Sequence, residues 1–293
     1  MAPLATLGVW WRLSRGEHAL MSFLAIVASA IISTNSFYAK FLLFAAGPAL
    51  IVLASFVFND YCDLPSDRAL KRNERPLVSK QVSPKTAFAV SAVLFVLGLL
   101  LCFFSSSLAF AIACAYSLLS IAYSVFLKKL PLVGNAVTAT TYGISFFYGG
   151  AVALNSLDNF NLLVVSFAGF AFLAGLGREL LITLRDVQGD RKIGATTLPM
   201  VVGPMATTVL AALFFLAAVV ATTLPVLNNF LAGTKLLVYV LFVGACDLAL
   251  LYSAFLGWSS PTKENLSKAR NYTLKAFQLA LLGFFVISAL SVA

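Results

Sequence analysis

Nine runs of predominantly apolar residues follow one another along this chain, at roughly 19–36, 41–60, 86–104, 108–127, 132–154, 161–185, 205–224, 235–256 and 272–291. Each is close to the ~20 residues that carry an α-helix across the hydrocarbon of a bilayer. That repetition dictates the solvent. Apolar residues fill 61% of the 293 positions, charged residues 11%, and the mean hydropathy is +0.96, whereas a soluble domain carries roughly twice that charge. So much apolar surface cannot be hidden in one protein core, and in lipid only helices and closed barrels satisfy every backbone group. Barrel strands read as short alternating segments, but these runs are long and unbroken. The expected fold is all-α, a polytopic membrane bundle of nine transmembrane helices. One domain over residues 1–293 is expected, because no long linker or low-complexity tract divides the spans.

The formal net charge of +9 sits between the spans and is distributed unevenly. Arg12 and Arg15 precede the first span. Arg68, Lys71, Arg72, Arg75, Lys80 and Lys85 lie between the second and third, and Lys128 and Lys129 between the fourth and fifth. Arg191 and Lys192 follow the sixth, and Lys263, Lys268 and Arg270 precede the ninth. The opposite set of loops holds only Lys40 and Lys235. Basic residues stay on the cytoplasmic side, so the N-terminus and the basic loops are expected there and the C-terminus outside. No aromatic-plus-basic pattern suggests nucleic acid, and membrane lipids are the expected surroundings. Cys62, Cys102, Cys114 and Cys246 lack metal or redox spacing and imply no disulfide framework. One histidine, His18, is too few for a histidine metal centre and reads as an interfacial residue. No short apolar core with a cleavage site marks a signal peptide.

Seven of the eleven acidic residues fall in or beside two of the basic loops: Asp60, Asp63, Asp67, Glu74, Glu179, Asp186 and Asp190. In Asn59-Asp60-Tyr61-Cys62-Asp63-Leu64-Pro65-Ser66-Asp67 the polar groups recur at three-, four- and seven-residue intervals, one face of a helix. Pro65 lacks an N–H and is expected to interrupt that helix near Leu64. Glu179, Asp186 and Asp190 repeat the pattern at seven and four, and Gly189 allows the helix to end there. Either cluster alone also reads as solvated loop charge neutralised by Arg68, Lys71, Arg72, Arg191 and Lys192. Together, on one side of the membrane, they have a different chemistry. Aligned carboxylates repel unless a cation lies among them, and Mg²⁺ takes hard oxygen ligands alongside phosphate and water. Basic residues beside them suit an anion, so the pair of clusters describes a Mg²⁺-and-diphosphate pocket.

These residues resemble the UbiA superfamily of intramembrane prenyltransferases, whose members have nine helices and two aspartate motifs, NDxxDxxxD and DxxxD. Asn59, Asp60, Asp63 and Asp67 match the first, and Asp186 and Asp190 the second. Arg72-Asn73-Glu74-Arg75-Pro76-Leu77 and Ser83-Pro84 look like the continuation of the first motif. Thr197-Leu198-Pro199 with Gly203 looks like that of the second, and Tyr123-Ser124 with Lys128 like the family's Tyr/Lys element. The resemblance implies Mg²⁺ held by Asn59, Asp60, Asp63, Asp67, Asp186 and Asp190. It implies an isoprenoid diphosphate bound by Asn59, Arg72, Arg75, Tyr123 and Lys128, and catalysis resting on Asp63, Asp67, Asp186, Asp190 and Lys128. It also implies transfer of a prenyl group to a hydrophobic or amphiphilic acceptor, with Tyr61, Tyr142, Phe146 and Tyr148 either facing an allylic cation or simply packing. Within the superfamily, Gly177-Arg178-Glu179 and the second motif look most like the archaeal branch that adds geranylgeranyl to geranylgeranylglyceryl phosphate. Ile182 and Thr183 depart from that branch, where a Lys-Asp pair is expected.

Two other readings stay open at this level: prenylation of an aromatic acceptor for quinone or haem synthesis, and a membrane transporter. A transporter commonly shows repeated halves and helices broken at the midplane; no clear repeat is visible. Arg15, Lys71 and Arg178 are the basic residues available to an acceptor phosphate. Asp247, in the middle of the eighth span, is either functional or a hydrogen-bonded structural acid. Asn135 and Thr138 read as helix-packing groups. Oligomeric state is not written in the sequence.

Overall fold

The computed structural model describes residues 3–156, 160–192 and 194–292, and every described element is helical. In order these are α1 (Pro3–Ser14), α2 (Gly16–Thr34), α3 (Lys40–Ala69), α4 (Pro84–Phe103), α5 (Ser107–Val125), a 3₁₀ turn (Leu127–Lys129), α6 (Val133–Leu154), α7 (Leu162–Lys192), α8 (Leu198–Val202), α9 (Pro204–Leu227), α10 (Gly233–Ser259) and α11 (Lys263–Ala289). Caps written in the sequence set several boundaries. Ser83 opens α4 by accepting from Thr86 N at 3.0 Å, with Pro84 in the first turn; Ser106 opens α5 and Thr262 opens α11 in the same way. Asn35 and Asn155 close α2 and α6 in the left-handed conformation, φ 50° and 49°.

Eight helices among the described residues are long and apolar enough to cross a bilayer: α2, α3, α4, α5, α7, α9, α10 and α11. The fifth expected span, α6, has 22 residues but is too polar to qualify on composition. Asn135, Thr138, Thr140 and Thr141 lie along it, and each finds a partner inside the protein. Asn135 Nδ2 donates to Thr183 Oγ1 on α7 at 2.7 Å, and the three threonines bond to carbonyls of their own helix. Thr183, the departure noted in the sequence, therefore ties α6 to α7.

The chain closes on itself. α3 packs on α4, α6 on α7, α7 on α9 and α10 on α11, while α2 touches α3, α6, α7 and α11. One core cluster joins α2, α6, α7, α9, α10 and α11, and a second joins α2 to α6. Outward faces carry exposed Val93, Val96 and Leu100 of α4, or Leu213, Leu216 and Val220 of α9, as a lipid-facing surface requires. Small residues bring α3 and α4 together: a Cβ on Gly47 would lie 2.7 Å from Cys102 Sγ and 2.9 Å from the Gly98 carbonyl oxygen. All four cysteines are free.

Two expectations about helix ends change. Pro48 and Pro65 both sit inside a continuous α3, which runs on to Ala69, and Ser66 Oγ donates to the Asp63 carbonyl at 2.8 Å in that last turn. A proline removes one bond and leaves the others, and a neighbouring hydroxyl can take up a carbonyl. Likewise α7 passes through Gly189 to Lys192, so Asp186 and Asp190 keep helical spacing on one face. The connection to the next span is therefore short, and it contains α8. Gly203, at φ 85° and ψ 163°, joins α8 to α9 in a conformation suited to glycine.

Candidate active site

Segments distant in sequence meet at one end of the bundle: α1, the C-terminal turns of α3, residues 70–83, the turn Leu127–Lys129, the end of α7 and the start of α11. Residues 70–83 are polar yet ordered. Leu77 is 2% exposed and Val82 is buried, and both pack with Val9, Leu13, Val57 and Leu64. Arg75 N bonds Arg72 O at 3.0 Å and Gln81 N bonds Pro76 O at 2.9 Å, a series of turns that holds Arg72 and Arg75 over the end of α3. Arg12 of α1 reaches Gln81 Oε1 at 3.1 Å and secures the outside of this segment.

Each carboxylate of the first cluster has a cation beside it. Asp60, 4% exposed, accepts from Arg75 Nη1 at 2.8 Å, with Arg15 Nη2 at 3.9 Å. Asp67, also buried, pairs with Arg72 at 3.1 Å, and Arg75 Nε lies 4.0 Å away. Asp63 is held by the Lys128 ammonium and by Asn59 Nδ2, the latter at 2.9 Å. Arg75 thus stands among the aspartates. Burial opposes its charge, but Asp60 and Asp67, with Asp63 further away, outweigh that and raise its pKa above that of an ordinary arginine. Tyr123 of α5 is in electrostatic reach of Asp63 and Glu179.

The second cluster lies opposite. Asp186 accepts two bonds from Arg185, at 2.8 and 2.7 Å. Asp190 is half-buried and feels Asp186 and Arg72, so Arg72 stands between the two clusters. A cavity of about 550 Å³ opens beside Arg72, along the end of α7 and the start of α11, with Arg185, Asp186 and Lys192 in its wall. Below, between α2, α3, α5, α6, α7 and α11, runs a second, narrow cavity of about 70 Å³ with mostly aromatic and aliphatic walls.

The four tyrosine and phenylalanine candidates separate. Tyr142 and Phe146 line the inner cavity. Tyr148 is 2% exposed and its hydroxyl reaches Phe44 O at 3.4 Å, a packing role, and Tyr61 stacks on Phe58 and lies tilted against Phe88, away from the cavity. His18, at the start of α2, turns into the cavity, 5.2 Å from the Phe56 ring and 6.5 Å from Tyr142. A signal existed, since His18, Met21, Ser22 and Ala25 share one helical face. Sequence reasoning also missed a buried network: Arg178 Nη1 bonds Glu179 Oε1 at 2.8 Å and the Tyr142 hydroxyl at 2.9 Å. Asp247 lies apart from both clusters, its Oδ2 accepting from Thr222 of α9 at 2.9 Å and its Oδ1 buried without a partner.

Among the described residues no three Asp, Glu, His or Cys side chains form a ready-made cation site. The donor set nevertheless suits Mg²⁺. Asn59, Asp60, Asp63 and Asp67 offer hard oxygens, and Asn59 Oδ1 is buried without a hydrogen-bond partner while its amide nitrogen is committed to Asp63. The arrangement therefore offers hard oxygens suited to a divalent ion and, beside them, guanidinium and ammonium groups suited to an anionic ligand.

The model of the UbiA prenyltransferase family matches residues 19–288. This chain belongs to the UbiA prenyltransferase family. It is accordingly an intramembrane prenyltransferase, and the transporter reading falls away. It is 35% identical over 280 residues to the digeranylgeranylglyceryl phosphate synthase of Methanoculleus marisnigri, covering 95% of this chain and 97% of that one. To the synthase of the same name in Archaeoglobus fulgidus it is 32% identical over 279 residues, covering 94% and 93%. A solved digeranylgeranylglyceryl phosphate synthase superposes with a TM-score of 0.75 at 26% identity, over 97% of this chain and 99% of that one. A UbiA homologue from Archaeoglobus fulgidus bound to GPP and Mg²⁺ shares the fold, with a TM-score of 0.70 at 16% identity over 97% and 99%. The UbiA signature thus embraces nearly all the described bundle.

Proposed function

We propose that this UbiA enzyme transfers a geranylgeranyl group from its diphosphate to geranylgeranylglyceryl phosphate, with Mg²⁺ as cofactor, as one transmembrane unit over residues 1–293. The observation that carries this reading is the meeting of both aspartate clusters and their basic partners at one end of the bundle, above an aromatic-lined cavity. Synthases of archaeal relatives at 32–35% identity over nearly the whole chain favour this acceptor, and a relative's complex with GPP and Mg²⁺ favours this cofactor. The ends of the bundle differ in charge, and the positive side faces the cytoplasm, so the donor and its metal enter from there.

Asn59, Asp60, Asp63, Asp67, Asp186 and Asp190 would hold the metal. Bound there, Mg²⁺ supplies positive charge that stabilises the departing diphosphate. Lys128, Arg72 and Arg75 leave their aspartates for the diphosphate oxygens, forming charge-assisted bonds that strengthen as the leaving group gains charge. Tyr123 of α5, within electrostatic reach of Asp63, completes the diphosphate wall. The allylic carbon loses its bond to diphosphate oxygen and gains one to the acceptor's hydroxyl oxygen, whose proton passes to an oxygen of the departing diphosphate. Tyr142 and Phe146 present ring faces to the positive charge on that carbon, and the apolar walls keep water from capturing it.

The test is prenyl transfer by purified protein in lipid, given geranylgeranyl diphosphate and Mg²⁺ with geranylgeranylglyceryl phosphate and 4-hydroxybenzoate as parallel acceptors. Product from the glycerol phosphate alone is expected. Product from the aromatic alone moves the enzyme to the quinone branch of the family.

A further inference from the structure

Four basic side chains stand around the inner cavity: His18 in its wall, Arg15 and Arg178 beside rings that line it, and Arg270 near the start of α11. Arg15 lies over the Phe56 ring at 4.6 Å and Arg178 over the Tyr142 ring at 5.8 Å. His18 stands between the same two rings. Arg270, exposed near the start of α11, forms no ion pair among the described residues. It is in electrostatic reach of Arg185, Arg178 and Arg15, with Asp186 as the opposing acid. The charges acting on His18 are again Arg15, Arg178 and Arg270.

Their acids do not balance them. Glu179 answers Arg178, Asp186 is taken by both bonds from Arg185, and Asp60 is shared between Arg75 and Arg15. The deciding detail is on Arg178. The residue is only 5% exposed, its Nη1 serves Glu179 and Tyr142, and its Nε is buried without a partner. Buried guanidinium donors are ordinarily satisfied. An unpaired one, bonded through Tyr142 to the cavity wall and surrounded by further cations, marks a place for an oxyanion.

We propose that Arg178 and Arg270, with Arg15 and His18, form a phosphomonoester site for the head of the amphiphilic acceptor, adjoining the aspartate clusters that take the donor diphosphate and meeting them at Asp60, which Arg15 borders. This rests on the reading that the acceptor carries a phosphate. The site explains how one cavity mouth holds two anionic substrates without confusing them. Metal-binding carboxylates on α3 and α7 select the diphosphate, and the metal-free arginines of α7 and α11, with Arg15 just ahead of α2, select the monoester. It also sets the acceptor's hydroxyl near the inner cavity, where the donor's first carbon must lie.

The experiment is calorimetric binding to the full-length protein in nanodiscs, comparing geranylgeranylglyceryl phosphate with unphosphorylated geranylgeranylglycerol. Wild type should bind the phosphorylated compound at least about tenfold more tightly, as expected for a charge-assisted oxyanion contact. Arg270→Gln should remove most of that preference, Arg270→Lys should restore part of it, and the affinity for geranylgeranyl diphosphate with Mg²⁺ should hold. Because Arg270 is exposed, its substitution leaves the buried network in place, and the unchanged donor affinity verifies the fold. Equal affinity for both compounds in wild type overturns the site, as does an equal loss of donor affinity in Arg270→Gln. Competition by phosphatidylglycerol as strong as by the monoester overturns it too, since the arginines would then be a general lipid-headgroup contact. Turnover separates this from the acceptor reading. Phosphate-dependent binding through Arg270 without prenylation keeps the site and removes that reading. Prenylation with an unchanged acceptor KM in Arg270→Gln does the reverse.

Discussion

Asp60 is 4% exposed, and a carboxylate so far from water is stable only when its charge is met nearby. Arg75 at 2.8 Å meets it, and the same guanidinium extends toward Asp67. Removing Arg75 therefore has a structural cost besides any loss of diphosphate binding. Arg75→Ala should destabilise the protein by about 1–3 kcal/mol, discounted for the arginine's partial exposure. Thermal unfolding in detergent checks this, and the Arg75→Met/Asp60→Leu double variant should recover most of the stability while remaining inactive. An equally unstable double variant would show that the ion pair is not the cause. Asp63 and Asp186 are more exposed than Asp60, so Asp63→Ala and Asp186→Ala should unfold as wild type does. Each should lose about 10²-fold or more in prenyl transfer. Near-wild-type turnover in either variant would remove that residue from the site.

The segment between α3 and α4 acts as an element although it is not a helix. Its anchor is Leu77, 2% exposed among Val9, Leu13, Val57 and Leu64. Leu77→Ala should cost about 2–4 kcal/mol of local packing. Limited proteolysis should then cut within residues 70–83 while the spans stay intact, and the KM for the donor should rise as Arg72 and Arg75 lose their support. Protection equal to wild type would mean that the turns, not the leucine, hold the segment. The sequence made the two acid clusters legible because a three-, four- and seven-residue pattern needs only helical geometry. It misled at Pro65 and Gly189, where residues that end isolated helices lie inside α3 and α7 because neighbouring segments stabilise the continued turn. Arg178 was legible as a candidate cation, but its meeting with His18 and Arg270 was not, for another reason. Their grouping depends on how α2, α7 and α11 pack, and no local spacing records that.

Across the whole molecule the hydropathy pattern marked the spans well, because lipid permits few architectures. It described α6 least well, since Asn135 and its threonines are satisfied by α7 and by their own helix rather than excluded from the membrane. Charge sidedness makes a further prediction. In a cysteine-free background, Ser79→Cys should react with an impermeant thiol reagent only from the cytoplasmic face, and Ser36→Cys only from the opposite one. Reversed labelling would place the active site outside. The central claim, that two aspartate clusters hold Mg²⁺ and an isoprenoid diphosphate at one end of this UbiA bundle, is tested most directly by removing the metal. Geranylgeranyl transfer to geranylgeranylglyceryl phosphate should stop in excess chelator and return on adding Mg²⁺, with the protein still folded throughout. Full activity in excess chelator would contradict the account.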